Sequence, residues 1–200
     1  QTQIVKKDSQ LNYQHGRVVY SYLRKYLLSK DKQEKKNIFE TGTARGFSSI
    51  CMAKALIDSG HKGTVNTIDI IPNKKKIYWN CISDAEGKKT RLELLNSWRK
   101  ELQYINFIEG TTSRQMRKLK FEKIDFAFLD AQHDKESVIE EYNFVKRHQT
   151  RGDIIIFDDV SKKFNEIMEA IDLIKKENYY NISILEFSDE KRGYAIAEKL

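Results

Sequence analysis

The chain has 200 residues, of which 40% are hydrophobic and 11% aromatic, which is enough to bury one domain core and excludes a disordered or low-complexity polypeptide. Its net charge is +7, but lysines and arginines are scattered, with short runs at 35–36 and 74–76 near element boundaries, so the charge reads as solvated surface before it reads as a nucleic-acid interface. Cys51 and Cys81 have neither metal-ligand nor disulfide spacing, no apolar run could span a bilayer, and no signal-peptide pattern appears, so the expected setting is a reducing cytoplasm without membrane partners.

Short apolar runs alternate with amphipathic stretches, the pattern of a parallel sheet with crossover helices. Residues 13–29 carry Val18, Val19, Tyr22, Leu23, Tyr26 and Leu27 at helical spacing; 37–40 is a first strand and 48–59 a helix with Ile50, Cys51, Ala55 and Leu56 on one side. A second strand is expected over 64–70. Residues 72–102 read as one or two helices broken near Gly87. Strands follow at 104–108, 124–129 and 153–157, with helices at 135–149 and 164–177. The chain closes with strands 182–187 and 193–197, made antiparallel neighbours by the short turn 188–192. A single domain over 1–200 is expected, without repeats or linkers.

The first chemical signal is IFETGTARGFSSI. A strand ends at Glu40, Gly42 and Gly46 let the loop turn sharply, and a helix N-terminus offers unpaired N–H groups to an anionic or carboxylate-bearing ligand. Ser48 also suits the helix N-cap. The glycine spacing differs from the dinucleotide-binding pattern. Asp69 ends the second strand, where a carboxylate can accept both hydroxyls of a ribose. Together these features predict an adenosyl cofactor. At the end of the third strand, IEGTT (Gly110, Thr111) leaves room for an adenine ring, or forms an ordinary turn before a helix.

A second constellation comes from FLDAQHD and IFDD, which place Asp130, His133, Asp158 and Asp159 at the same sheet edge. Clustered carboxylates repel and call for a proton or a cation. Oxygen ligands suit Mg²⁺, which lowers the pKa of a bound hydroxyl, and His133 offers the imidazole that a general base commonly uses. Asp158 and Asp159 can equally cap the next loop or helix, and Asp130 can hold an amino group of the cofactor. His61, His148 and His15 carry no comparable signal.

In order, FETGTARGFSS, TIDI, INFIEGTT, FAFLDAQHD and GDIIIFDDV resemble the class I S-adenosylmethionine (SAM)-dependent methyltransferases. The chain is most similar to the methyltransferase-24 family, which is similar to cephalosporin-hydroxylase-like and macrolide-sugar O-methyltransferases. The resemblance implies a Rossmann-like three-layer α/β/α sandwich whose seven-stranded, mostly parallel sheet has its last strand antiparallel. It implies that Glu40, Gly42, Thr43, Gly46 and Ser48, with Ala44 between them, surround the methionine part of SAM. Asp69 and Ile70 would meet the ribose, Gly110 and Thr111 the adenine side, with Asp130 closing the cofactor set. It also implies Mg²⁺ on Asp130, Asp158 and Asp159, although catechol-type relatives carry Asp-Asn where this chain has Asp158-Asp159.

Residues 72–102 are expected to cover the acceptor, with Tyr78, Trp79, Arg91 and Glu93 as contacts and a phosphorylated or carboxylated acceptor as one option. The expected reaction is methylation of a hydroxyl on a small molecule or sugar, with His133 and Asp130 as catalytic residues. The alternatives are an RNA methyltransferase, a non-catalytic SAM-binding module and, third, an NAD-dependent oxidoreductase. Self-association into a homo-oligomer is left open.

Overall fold

The computed structural model describes residues 13–186 and 193–200. Seven strands form one sheet: β1 (Lys36–Thr41), β2 (Gly63–Asp69), β3 (Ile105–Glu109), β4 (Phe126–Leu129), β5 (Ile154–Phe157), β6 (Tyr180–Glu186) and β7 (Gly193–Lys199). Their order is β3-β2-β1-β4-β5-β7-β6, with β1 to β5 parallel and β7 antiparallel to both neighbours. This is the Rossmann-like sheet expected from the sequence. The turn at 188–192 and Phe187 lie outside the described residues.

The helices are α1 (Tyr13–Leu28), α2 (Phe47–Ser59), the short α3 (Arg91–Leu94), α4 (Arg99–Leu102) and α5 (Thr112–Met116), and then α6 (Lys135–Lys146) and α7 (Asn165–Lys176). Successive strand side chains point to opposite faces, so each central strand feeds two cores. Ile38, Phe126, Phe128 and Ile156 pack with Val19, Leu23, Met52 and Leu56 of α1 and α2. Phe39, Ala127, Ile155 and Phe157 pack on the other face with Tyr142, Val145, Ile167 and Ile171 of α6 and α7.

The register sets the site. Thr41 pairs with Ile68 on one side and Leu129 on the other, and Leu129 pairs with Phe157. The next residues, Gly42, Asp69, Asp130 and Asp158, therefore stand side by side where the chain leaves the sheet. The strand order also reverses between β1 and β4, the position where open α/β sheets bind ligands.

The stretch 72–102 is helical in its second half only. Residues 72–90 form a cross-braced loop with a 3-10 turn at Ile82–Glu86, while beyond Gly87 the chain runs through the four-residue helices α3 and α4, joined by a 3-10 turn at Asn96–Trp98. Ile77 and Lys89 exchange both backbone hydrogen bonds (3.0 Å each), the Trp79 indole donates to the Lys89 carbonyl (2.8 Å), and Asp84 accepts from the Trp79 and Cys81 amides. These side chain-to-backbone bonds compete with the helical ladder.

Candidate functional site

Glu40 ends β1 with no exposed surface and accepts hydrogen bonds from the Ser48 and Ser49 hydroxyls. Burial raises its pKa, an effect opposed by those hydroxyls and Thr67. Ser48 is therefore not the N-cap expected from the sequence. Gly46, at φ 86°, occupies that position, which frees the Ser48 hydroxyl to turn back onto Glu40. Between them the loop is pinned by Gly42 N–H to the Ile68 carbonyl (2.9 Å), by Gly46 N–H to the Thr43 carbonyl (2.7 Å) and by the buried Thr43–Thr67 hydroxyl pair.

Asp69 is buried and accepts from the amides of Ala44 and Ile71. A carboxylate has about four lone-pair directions, so two backbone bonds still leave acceptor capacity for a ligand. Ile70 beside it is 66% exposed, an apolar surface next to the acidic group. At the end of β3, Gly110 has φ +141° and donates to the Asp69 carbonyl (2.8 Å), while Thr111 is the N-cap of α5 and makes no side-chain capping bond. Every loop expected to hold the cofactor thus meets at one edge.

Arg91 was missed as part of this edge. The sequence placed it, with Tyr78, Trp79 and Glu93, over the acceptor. Its guanidinium is instead buried against the cofactor loop: Nε donates to the Ala44 carbonyl (3.1 Å), Nη1 to Asn73, and Nη2 lies 3.6 Å from Asp69. Trp79 and Phe107 flank it at 5.4 and 5.6 Å. Trp79 is buried too, and Glu93 is engaged as the reciprocal partner of Thr90 in a capping box and in an ion pair with Lys76 (3.0 Å). Tyr78 stays half-buried, with Lys88 over its ring (5.5 Å). Leu95 is buried while Leu92 and Trp98 are exposed.

The acidic constellation lies across Gly42. Asp130 N–H donates to the Thr41 carbonyl (3.1 Å), and Asp158 N–H to the Leu129 carbonyl (3.1 Å). Asp159 follows in the left-handed region at φ 55°, so the two adjacent carboxylates diverge. Asp158 Oδ2 lies 3.2 Å from His15 Nδ1, and Asp159 Oδ2 lies 3.2 Å from His133 Nε2. The His133 ring rests against Phe164 with centroids 4.7 Å apart. Burial holds the Asp130 carboxyl well above the usual carboxylate range, and the charges of Asp158, Asp159 and Glu40 push the same way.

His15 looked uninformative in sequence, yet it reaches this cluster. The available signal was its phase: it stands three, four, seven and eight residues before Val18, Val19, Tyr22 and Leu23, on the apolar stripe of α1. His61 and His148 are structural, bonded to backbone carbonyls of Ser59 and Lys30 and of Phe144 respectively.

Thr41 links the cluster to α6 by donating its hydroxyl to Glu141 (2.7 Å). Burial pushes the Glu141 carboxyl up to about 8, with Thr41 opposing and Glu140 and Asp134 adding to the rise. The folded protein keeps this proton while an unfolded glutamate loses it near the ordinary value of about 4.3. Stability should therefore fall as pH rises between those two values. Glu141→Gln, which keeps the acceptor and removes the charge, is expected to match the parent near pH 4 and exceed it at pH 9. The gain should be on the order of 4 kcal/mol, read from urea midpoints.

A family model for a methyltransferase domain, methyltransferase-24, matches residues 39–160. A search of curated proteins found no match. Among solved structures, the chain is similar to an O-methyltransferase from Bacillus cereus in complex with S-adenosylhomocysteine (SAH), at 18% identity and TM-score 0.67, covering 97% of this chain and 84% of that one. It is also similar to the O-methyltransferase TomG from Streptomyces achromogenes in complex with SAM (16%, TM-score 0.69, 96% and 82%). A precorrin-6y C5,15-methyltransferase from Geobacter metallireducens shares the fold as well (12%, TM-score 0.62, 98% and 94%).

Proposed function

The chain belongs to the methyltransferase-24 family and is a methyltransferase, and we propose that it uses SAM to methylate a hydroxyl oxygen of a small molecule or sugar. One observation carries this reading: the Gly42 turn stands between a ribose-type carboxylate, Asp69, and the Asp130–His133–Asp158–Asp159 cluster, so cofactor loop and proton-accepting groups share one sheet edge. The SAH- and SAM-bound relatives support the cofactor.

SAM supplies a methyl group on a sulfonium, already a good leaving group, so the protein chiefly positions the acceptor and takes its proton. The amides at the start of α2 receive the carboxylate of the methionine portion, as helix N-termini favour anionic groups. Glu40, Thr43, Ala44 and Ser48 shape the loop around that portion, and Asp69 accepts the ribose hydroxyls. Gly110, Thr111 and the exposed Ile70 border the adenine. As the new oxygen–methyl bond forms and the sulfur–methyl bond breaks, His133 removes the hydroxyl proton and Asp159, 3.2 Å away, stabilises the resulting imidazolium. The carboxylate donors of Asp130, Asp158 and Asp159 fit a divalent cation, Mg²⁺ in the simplest case, because their crowding already favours added positive charge. Such an ion would make the acceptor hydroxyl more acidic.

Arg91 is a cofactor-positioning residue in this scheme. Arg91→Met should weaken SAM binding by roughly tenfold or more with the acceptor KM unchanged, and Arg91→Lys should recover only part, since an ammonium lacks the planar fork. A raised acceptor KM at unchanged SAM affinity would return Arg91 to the acceptor pocket.

The net charge of +7 favours RNA as the alternative acceptor. Transfer of labelled methyl from SAM to a panel of hydroxylated small molecules and sugars, run beside RNA, separates the two. Product on a hydroxyl with little salt dependence supports this reading; transfer to RNA that collapses steeply with salt would replace it. SAM binding without transfer to any acceptor is the result expected of a non-catalytic module. No helix among the described residues is long and apolar enough to cross a membrane.

A further inference from the structure

Asp130 is shared by two compact groups. One joins it to His15 and Asp158, the other to His133 and Asp159, and in each the potential ligand atoms lie within 4.8 Å of one another. The groups differ in burial. The side chains of His15 and Asp158 are 13% and 2% exposed, whereas that of His133 is 45% exposed. Asp158 Oδ2 is buried without a hydrogen bond, 3.2 Å from His15 Nδ1. A buried carboxylate oxygen in that condition calls for a cation or a charged donor.

The fold holds His15 at this place. Its ring meets the edge of Phe128 at 5.1 Å and lies near Phe47 and Tyr194 at 6.3 and 6.4 Å. Gly16 lets α1 approach α2 closely, because a Cβ there would fall 2.7 Å from the Phe47 ring and 3.0 Å from Cys51 Sγ. At the other end of α1, Tyr26 donates to Asp153 (2.7 Å), so the helix is anchored at both edges of the sheet. An imidazole fixed by packing, with its nitrogen toward two carboxylates, is organised as a ligand is.

Building on the O-methyltransferase reading, we propose that His15, Asp130 and Asp158 form a binding site for a divalent transition-metal ion, with His15 as its nitrogen ligand. The outer pair, His133 and Asp159, then serves proton removal. The donor set decides the class of ion. Mg²⁺ keeps to oxygen ligands and sheds water reluctantly, whereas an imidazole beside carboxylates suits Mn²⁺, Co²⁺ or Zn²⁺. The preference for a transition metal over Mg²⁺ therefore rests on His15, a residue outside the three aspartates of the simplest site.

The test is titration of the full chain with Co²⁺, followed by visible absorption and calorimetry, with Mg²⁺ as competitor and SAM binding measured on the same preparations. The expected result is one Co²⁺ per chain, bound at least tenfold more tightly than Mg²⁺. His15→Ala and His15→Asn should each lower Co²⁺ affinity at least tenfold while leaving SAM affinity unchanged, and His133→Ala should keep Co²⁺ binding. The asparagine variant guards against misfolding, and retained SAM binding shows that the fold persists. Absent Co²⁺ binding, equal affinity for Mg²⁺, or Co²⁺ binding lost with His133→Ala but kept with His15→Ala would overturn the proposal. Intact SAM binding with any of those outcomes confines the failure to the metal site, whereas loss of SAM binding by the unmodified chain would remove the O-methyltransferase reading itself.

Discussion

Gly42→Ala is expected to weaken SAM binding at least a hundredfold and to lower the melting temperature. A Cβ on Gly42 would stand 1.8 Å from the Asp130 carbonyl oxygen and 3.1 Å from the Ala131 Cα. Both obstacles are backbone, so no flexible side-chain end can move aside. The residue also has φ +84°, which an L side chain rarely adopts. That conformation alone costs about 1–3 kcal/mol, which in a chain of this size corresponds to a fall of roughly 3–10 °C. The larger effect is functional. Relieving the clash means separating β1 from β4 where they leave the sheet, and that separation moves the cofactor loop and Asp130 apart together. Calorimetry with SAM and a thermal melt on the same preparation check it. Near-normal SAM affinity would show that the loop tolerates displacement and that the close approach at Gly42 is not what organises the site.

His133→Ala should reduce kcat by about 10²–10⁴ while leaving SAM affinity within about twofold, the effect expected for loss of a general base. The residue is partly exposed, its Nε2 lies 3.2 Å from Asp159, and its ring rests on Phe164, so truncation empties little of the core. His133→Gln should not rescue the rate, because an amide cannot take the proton. Asp159→Asn should cost less than the histidine change, since it weakens stabilisation of the imidazolium and leaves the imidazole in place. Steady-state kinetics with a responding acceptor, beside SAM binding, separates these effects. An unchanged kcat in His133→Ala would assign proton removal elsewhere, and a large loss of SAM affinity would make the residue part of the cofactor pocket.

The central sheet was legible because strands buried on both faces leave continuous apolar runs such as FAFL and IIIF, and because glycines and acids punctuate their ends. The site residues of β1, β2, β4 and β5 could be grouped for a related reason. Each directly follows its strand, and a parallel register brings strand ends together. Residues 72–102 were less readable. Their order comes from bonds such as Trp79 to Lys89 and Asp84 to Trp79, which leave no periodic trace. Arg91 could be recognised as special but not aimed, since nothing local tells whether a guanidinium faces a substrate or turns under a glycine loop. Ser48 suited two roles in sequence, a helix cap and part of the cofactor loop, and Gly46 in the left-handed conformation takes the cap position. His15 was overlooked because its partner, Asp158, lies 143 positions along the chain, and only the tertiary fold joins them.

The most direct test of the account is calorimetric titration of SAM into the full chain, with and without added divalent cation and after chelation. The account predicts saturable one-to-one SAM binding that is lost in Gly42→Ala and weakened in Arg91→Met. Failure of the unmodified, folded chain to bind SAM under any of these conditions would contradict the assignment of the loop 41–47 and Asp69 as a SAM site, and the proposed methyl transfer with it.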